Sequence, residues 1–248
     1  MEFEHATCVV TGAASGIGRA VAERLADAGA RIVAVDRDAD GLASLDAADV
    51  RVVADLADAD AVARAGATAL AEGVTHLVNA AGIVDMRAID DVDAALWERV
   101  FAVNARAVFF LCQAICPRLP AGGAVVNLSS TAAKTGSTLE GTSYAASKAA
   151  VLSLTRSFAH AHAARGVRVN AVCPGIVETP MQDQVLAQIA AVRGSTPAAV
   201  DAARLATVPL GRAGSAAECA ETIAFLLSPR AGYMTGQSVN VSGGLVMT

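Results

Sequence analysis

The sequence predicts an α/β fold built on a doubly wound parallel sheet, about seven strands with helices on both faces. Two observations carry that expectation. Short β-branched runs recur along the chain, and most are separated by longer Ala- and Leu-rich stretches with apolar residues at helical spacing. The runs also lack the apolar–polar alternation of a strand with one wet face, so both faces need a covering of helices. Right-handed crossovers between parallel strands then leave a Rossmann-type arrangement as the leading topology.

The first run, Thr7–Val10, feeds directly into the turn Thr11-Gly12-Ala13-Ala14-Ser15-Gly16-Ile17-Gly18 and then a helical stretch, Arg19–Ala28, that Gly29 closes. Arg31–Val35 and Arg51–Val53 are the second and third strands, and His76–Val78 the fourth. A helical stretch over Ala94–Leu111 precedes the fifth strand, Ala124–Leu128. Another, over Ser143–Arg165 and closed by Gly166, precedes the sixth, Arg168–Val172. Ser215-Ala216-Ala217-Glu218 reads as a capping box opening a helix that runs to Leu227 and stops at Pro229. Ser238–Val241 is the last strand. From Pro174 to Gly214 there is no strand, only two short helical patches and three further prolines. Such a segment in a compact domain is usually a functional lid, expected here at about 175–212. No linker, charge block or repeat divides the chain, which is read as one domain over residues 1–248.

Composition narrows the function. With 54% hydrophobic and 17% charged residues, the 248-residue chain can bury a large core. A net charge of -5 argues against a nucleic-acid partner, because phosphate binding needs a basic face. Five cysteines, odd in number and without a CxxC, read as buried thiols in a reducing compartment. Four scattered histidines give no metal-ligand spacing, so no metal site is expected. The charged start lacks the apolar run of a signal peptide, and the most lipid-like stretch, Ala107 to Cys116, is too short to span a bilayer and carries Gln113. A cytoplasmic protein without a membrane partner is the expectation.

The glycine-rich turn between a strand and a helix is where a dinucleotide pyrophosphate binds. Gly12 permits the sharp turn, Gly16 lets the backbone approach the phosphates, and Gly18 allows close helix–strand packing. Ser15, Ile17 and the helix N-terminus add donors and a partial positive charge. No Lys follows, which excludes the phosphate loop of nucleotide triphosphatases. Asp36, at the end of the second strand, can accept both hydroxyls of an adenosine ribose and would repel a 2'-phosphate. Arg37 is the sole nearby cation, so NAD is favoured over NADP. Asp55 and Leu56, after the third strand, are positioned for the adenine. Asn79-Ala80-Ala81-Gly82 reads as a tight turn beside the cofactor.

Tyr144 and Lys148 are spaced i, i+4 at the start of a long helix and so share a face. A free phenol, with a pKa near 10, is no base at neutral pH. A neighbouring ammonium, and the positive ring of an oxidised nicotinamide, would lower that value and let Tyr144 exchange a proton with an alcohol or carbonyl. Ser130, at the end of the fifth strand in Asn127-Leu128-Ser129-Ser130, can hold the substrate oxygen near Tyr144, with Ser129 and Thr131 as alternatives. Asn104 lies mid-helix, where a poor helix former is unexpected. A local distortion there could turn its amide or backbone carbonyl toward a water and Lys148.

Taken together, these motifs resemble the short-chain dehydrogenase/reductase family from Thr7 to Gly244. The match rests on Thr11 to Gly18, Asn79 to Gly82, Asn104, Ser130, Tyr144 with Lys148, and Pro174-Gly175-Ile176-Val177-Glu178-Thr179. The resemblance implies a catalytic tetrad of Asn104, Ser130, Tyr144 and Lys148. It further implies that Lys148 contacts the nicotinamide ribose, that Pro174, Gly175 and Ile176 to Thr179 lie at the carboxamide end, and that the protein is a homotetramer or dimer. Three departures stand out: Ala80 where a second Asn is common, Ser242 where Asp is usual, and a Ser130–Tyr144 spacing one residue longer than most often seen.

The function expected is hydride transfer between NAD and a secondary alcohol or ketone, such as a polyol, sugar alcohol or hydroxy compound. A 3-oxoacyl thioester reductase using NAD(P)H is the alternative, and a non-catalytic dinucleotide-binding protein a second one. Val84, Ser137–Thr142 and Ile176–Leu210 are expected to line the substrate pocket, where Glu140 either accepts substrate hydrogen bonds or is a solvated loop acid. No Arg or His clamp for a carboxylate stands out in these segments, which disfavours small hydroxy acids, with Lys134 as the reservation.

Overall fold

The computed structural model describes residues 2–136 and 140–248. Among them, β1 (Thr7–Thr11), β2 (Arg31–Asp36), β3 (Val50–Val53), β4 (His76–Asn79), β5 (Ala124–Leu128), β6 (Arg168–Pro174) and β7 (Ser238–Val241) form one parallel sheet in the order β3-β2-β1-β4-β5-β6-β7. Every expected strand is present. Four of them extend one or two residues further than the apolar runs, because ladder hydrogen bonds carry polar Thr11, Asp36, Asn79 and the Cys173-Pro174 pair to the carboxyl edge.

Alternate residues of each strand go to opposite faces. Val10, Ile32, Val78 and Val126 pack against helices α1 (Gly16–Asp27) and, later in the chain, Ala216–Leu227, which also pack on each other. Val9, Val33, Leu77, Val125 and Val169 face the other way into a second buried cluster. Both faces are dry, so the strands read as unbroken apolar runs. The remaining helices are α2 (Ala39–Ala43), α3 (Ala59–Ala71), α4 (Ala94–Phe101), α5 (Ala107–Ile115), α6 (Ala132–Thr135), α7 (Thr142–His162), α8 (Pro180–Arg193) and α9 (Pro197–Leu205), with Ala216–Leu227 as α10.

Local chemistry sets several boundaries. Ser215 and Glu218 close the reciprocal capping box on α10, while α8 and α9 each begin with a threonine cap followed by Pro at the first helical position. Gly29 and Gly166 adopt the left-handed backbone at φ 97 and 75 expected after a helix.

Two features of the helical stretch before β5 bear on the sequence reading: the distortion expected at Asn104 is present, and the apolar length differs from expectation. The helix over Ala94–Leu111 is not one regular rod: a π-turn over Ala102–Arg106 joins α4 to α5. The continuous run Ala94–Arg118 is also 25 residues long, and an 18-residue window within it has a mean hydropathy of 1.6, enough by length and composition to cross a bilayer. The apolar window chosen from sequence was too short. In the fold, 61% of that 18-residue window is buried against the protein, as befits a core helix.

The segment expected to be a lid is held at both ends by one backbone pairing. Glu178 donates its N–H to Gly214 O at 2.9 Å, and Gly214 donates to Ile176 O at 2.9 Å. Between these ends, α8 and α9 pack through Val185, Ile189 and Val200 onto Val84 and Met86 of the loop after β4.

Candidate active site

The sheet reverses direction of construction between β1 and β4, and a cavity of about 690 Å³ opens at the carboxyl ends of its central strands. The glycine-rich turn forms its floor. A Cβ on Gly18 would lie 2.1 Å from the Gly12 carbonyl oxygen, and one on Gly12 would lie 2.8 Å from Ala81 Cα. Those two glycines are thus demanded by the protein's own packing. Gly16 is different: its φ is +55 and the nearest atom to a Cβ would be 3.4 Å away, on Thr179, so it keeps the backbone open. Ser15 precedes α1 without a side-chain cap bond, and the first turn carries no acid. Free N–H groups and the helix dipole therefore face the cavity, which fits a pyrophosphate.

Asp36 staples this turn to β2. Its Oδ2 accepts from Ala14 N and its Oδ1 from Asp38 N, both at 3.0 Å, leaving lone pairs on each oxygen toward the cavity it lines. Asp55 and Leu56 line the same end, with Asp55 Oδ1 accepting from Ala57 N at 2.9 Å. Ala80 and Gly82 line the middle. Thr11 Oγ1 accepts from both Ala80 N and Ala81 N at 3.1 Å, joining the carboxyl ends of β1 and β4. Pro174, Gly175, Ile176, Val177 and Thr179 line the opposite wall. Gly175 is needed by contact with the protein as well, since a Cβ there would sit 2.9 Å from Ser242 Cα.

Asn79 is a correction. Its side chain turns away from the cavity into the core, where Nδ2 donates to Asn127 Oδ1 at 2.8 Å. Asn127 in turn donates to Thr155 Oγ1 at 3.0 Å. The residue ends a strand, and the pleat alternation puts its side chain on the α5/α7 face rather than in the cavity lining.

Asn104 sits in the π-turn, fully buried, as a helix distortion was expected to place it. Its amide is not free. Oδ1 accepts from Ile83 N, Nδ2 donates to Ile83 O, both at 2.9 Å, and Nδ2 also reaches Ser147 Oγ at 3.0 Å. Of the two groups expected from sequence to face Lys148, the amide thus holds the Gly82-Ile83 turn, its Oδ1 keeping one lone pair.

Tyr144 and Lys148 lie on one face of α7 and both line the cavity. Lys148 is buried; Nζ donates to Leu128 O at 2.8 Å and stands 5.9 Å from the Tyr144 ring centroid. Burial lowers its pKa from 10.5 to about 8. Tyr144 is shifted in the other direction: loss of solvation raises its pKa above 10, and a hydrogen bond with Ser130 offsets only part of that rise. Both shifts come first from the burial of the α7 face that carries the two side chains.

The serine run resolves by position. Ser129 Oγ donates to Lys148 O at 2.8 Å and anchors α7, whereas Ser130 is the hydroxyl brought to the phenol. Thr131 also lines the cavity, at the start of α6.

At the substrate end, Val84 lines the wall, and residues Ser137 to Leu139 of the expected pocket lie outside the described residues. Glu140 is neither solvated nor free: it is 8% exposed, and Arg193 of α8 binds both its oxygens, Nε at 2.6 Å and Nη2 at 3.0 Å. That guanidinium holds the carboxyl below the usual 4.5. Lys134 does not reach the pocket; its Nζ donates to Ser238 O at 3.2 Å and Thr248 O at 2.8 Å. No arginine or histidine clamp stood out from the sequence; Arg204 of α9 lines the cavity, as do Arg37, Arg87 and Arg99.

A family model described as enoyl-(acyl carrier protein) reductase matches residues 12–246. The chain belongs to the short-chain dehydrogenase/reductase family. It is 38% identical to a galactitol 2-dehydrogenase (L-tagatose-forming) of Cereibacter sphaeroides, over 98% of this chain and 95% of that one. It is 34% identical to a 3-oxoacyl-(acyl-carrier-protein) reductase of Thermotoga maritima, over the full length of both. A crystal structure of a short chain dehydrogenase from Burkholderia cenocepacia J2315 in complex with NADP superimposes with a TM-score of 0.88 at 30% identity, covering 99% of each chain. This short-chain dehydrogenase/reductase is a nicotinamide-dependent oxidoreductase of CH–OH groups.

Three site features of the dehydrogenase escaped the sequence reading. Thr11 Oγ1 holds backbone N–H groups 69 and 70 positions along the chain, which no local pattern reports. The Glu140–Arg193 pair spans 53 positions and joins a loop to a helix end. Arg204 carried a signal, as the one cation of α9, but only the packing of that helix shows which way it faces.

Proposed function

We propose that this enzyme interconverts a secondary alcohol and its ketone with NAD, Tyr144 serving as general acid and base. The observation that carries the reading is the convergence of Ser130, Tyr144 and Lys148 on one wall of the cavity whose floor is the glycine-rich turn. Ser15, Gly16, Ile17 and Gly18 would hold the pyrophosphate, Asp36 the adenosine ribose, and Asp55 with Leu56 the adenine. Ala80, Gly82, Tyr144 and Lys148 would border the nicotinamide ribose, and Pro174, Gly175, Ile176, Val177 and Thr179 the carboxamide. When bound, the oxidised dinucleotide supplies a hydride-accepting carbon and a positive charge.

In oxidation, Ser130 donates to or accepts from the substrate oxygen and fixes it near the phenol. Tyr144 takes the hydroxyl proton as the carbon loses hydride, and in reduction returns it. The burial that raises the Tyr144 pKa would be opposed, in the complex, by the positive charge of the oxidised dinucleotide. Lys148, with a pKa of about 8, changes charge near working pH and relays that proton onward. With its amide holding the Gly82-Ile83 turn, Asn104 is left its backbone carbonyl to face a water beside Lys148. The segment from Ile176 to Leu210 covers the substrate as a lid.

Asp36 supports NAD, since its carboxylate lines the cavity at the end of β2, where it would accept the ribose hydroxyls and repel a 2'-phosphate, with Arg37 beside it. The polyol activity named for the galactitol relative supports an alcohol substrate. Exposed Trp97 stacked on Phe101, and Phe110 beside Phe109, give α4 and α5 an apolar outer face suited to a homotetramer or dimer in the cytoplasm. A panel of alcohols and ketones assayed with NAD and NADP separately tests the reading. NAD-linked turnover that rises with pH is expected. A rate far higher with NADP, and unchanged in Asp36→Ala, would overturn the cofactor assignment.

A further inference from the structure

The wall opposite the catalytic helix holds an unused charge. Arg204 is the residue of α9 that lines the cavity, and its Nη1 is buried without a hydrogen-bond partner among the described residues. Thr196, capping α9, and Pro197 at its first turn fix the helix that carries it. A guanidinium cannot shed its charge when buried, so an N–H left unpaired there is a standing cost.

The surrounding acids are occupied elsewhere. Glu140 is gripped at both oxygens by Arg193, and Asp85 faces Arg87 at 3.5 Å. Asp201, one turn before Arg204 on the same helix, attracts it without forming an ion pair, and the Arg193 cation repels it. Arg204 is thus left without a paired carboxylate among the described residues, the lining acids Glu140 and Asp85 each facing another arginine. Packing of the arginine stem explains the aliphatic part of the side chain; it does not explain a buried, unpaired Nη1.

We propose that Arg204 anchors a carboxylate carried by the substrate, so that the alcohol oxidised here is a hydroxy acid and the ketone reduced is the matching keto acid. The inference rests on the oxidoreductase reading and names the substrate class for the same site. The planar fork of the guanidinium suits a carboxylate, which supplies the acceptor that the fold withholds. Fixing that end leaves the hydroxyl-bearing carbon to be brought to Ser130 and Tyr144, with chain length setting the fit.

The test compares 3-oxobutanoate, 4-oxopentanoate and 5-oxohexanoate with their amides, which match them in shape and lack the charge. Reduction by the full-length enzyme is measured with NADH and NADPH, and binding to the NADH-loaded enzyme by calorimetry. At least one acid is expected to exceed its amide by about 10- to 100-fold in kcat/KM and in affinity. In Arg204→Met, which keeps the aliphatic stem, that ratio should fall to near one through a raised KM, and Arg204→Lys should restore part of it. Amides used as well as the acids by the parent enzyme, or a Met variant that keeps the parent ratio, overturns the proposal. Acid-selective binding that Arg204→Met abolishes, with no turnover by either dinucleotide, would leave the anchor standing and remove the oxidoreductase reading instead.

Discussion

Replacing Lys148 with Met should make the fold more stable at neutral pH while abolishing turnover. The buried ammonium has a pKa of about 8 against 10.5 for the model amine, so the folded state binds its proton less tightly than the unfolded chain does. A gap of that size corresponds to about 3 kcal/mol of destabilisation wherever both states are protonated. The sign follows from the proton count. Below pH 8 both states carry the proton and the parent bears the whole penalty. Between pH 8 and 10.5 the unfolded chain holds more protons than the folded one, so parent stability climbs with pH relative to a variant with no amine. The variant also loses the bond from Nζ to Leu128 O, which offsets part of the gain at every pH equally. The quantity to measure is therefore the difference in unfolding free energy between parent and Lys148→Met, by urea at fixed protein concentration, across pH 7 to 10.5. It should shift by about 3 kcal/mol in favour of the parent over that interval. A difference that stays level refutes the buried-charge argument, whatever the activity.

Other consequences are as direct. Tyr233→Phe leaves Tyr144 as the sole tyrosine, and its near-ultraviolet phenolate signal should be missing below pH 10 until oxidised dinucleotide is added; phenolate at pH 8 in the dinucleotide-free protein contradicts the burial argument. Gly18→Ala forces a Cβ to within 2.1 Å of the Gly12 carbonyl and should cost about 3 kcal/mol or more in urea unfolding, a loss under 1 kcal/mol being incompatible with that contact. Glu140→Gln releases Arg193 from the lid, and because Arg193 is about half exposed the loss is about 1 kcal/mol, seen as roughly fivefold faster proteolysis within α8 and α9. In the parent, the same latch should hold at neutral pH and weaken only as pH falls through the lowered Glu140 pKa, under 4.5. A lid that opens between pH 8 and 6 is inconsistent with it.

The sheet was legible because burial on both faces writes itself into the strands, and the helices because caps and glycines mark their ends. Val9 and Val10, adjacent in sequence, bury on opposite sides, which the unbroken apolar run announces without any partner being known. The glycine-rich turn and the Tyr144–Lys148 pair were legible for a similar reason: each is a local geometry imposed on residues a few positions apart. Asn79 misled because its type and place after a strand suggested a ligand, while the pleat sends the side chain into the core.

Residue order along the chain thus determined the secondary structure, the glycine-rich turn and the pairing of Tyr144 with Lys148, since those depend on spacing within one element or across one turn. Tertiary structure alone decided the burial that shifts Tyr144 and Lys148, the hydrogen bonds of Asn104 and Glu140, and the isolation of Arg204. Solvation and charge pairing depend on which distant segments come within a few ångströms, and that distance is set by packing between elements.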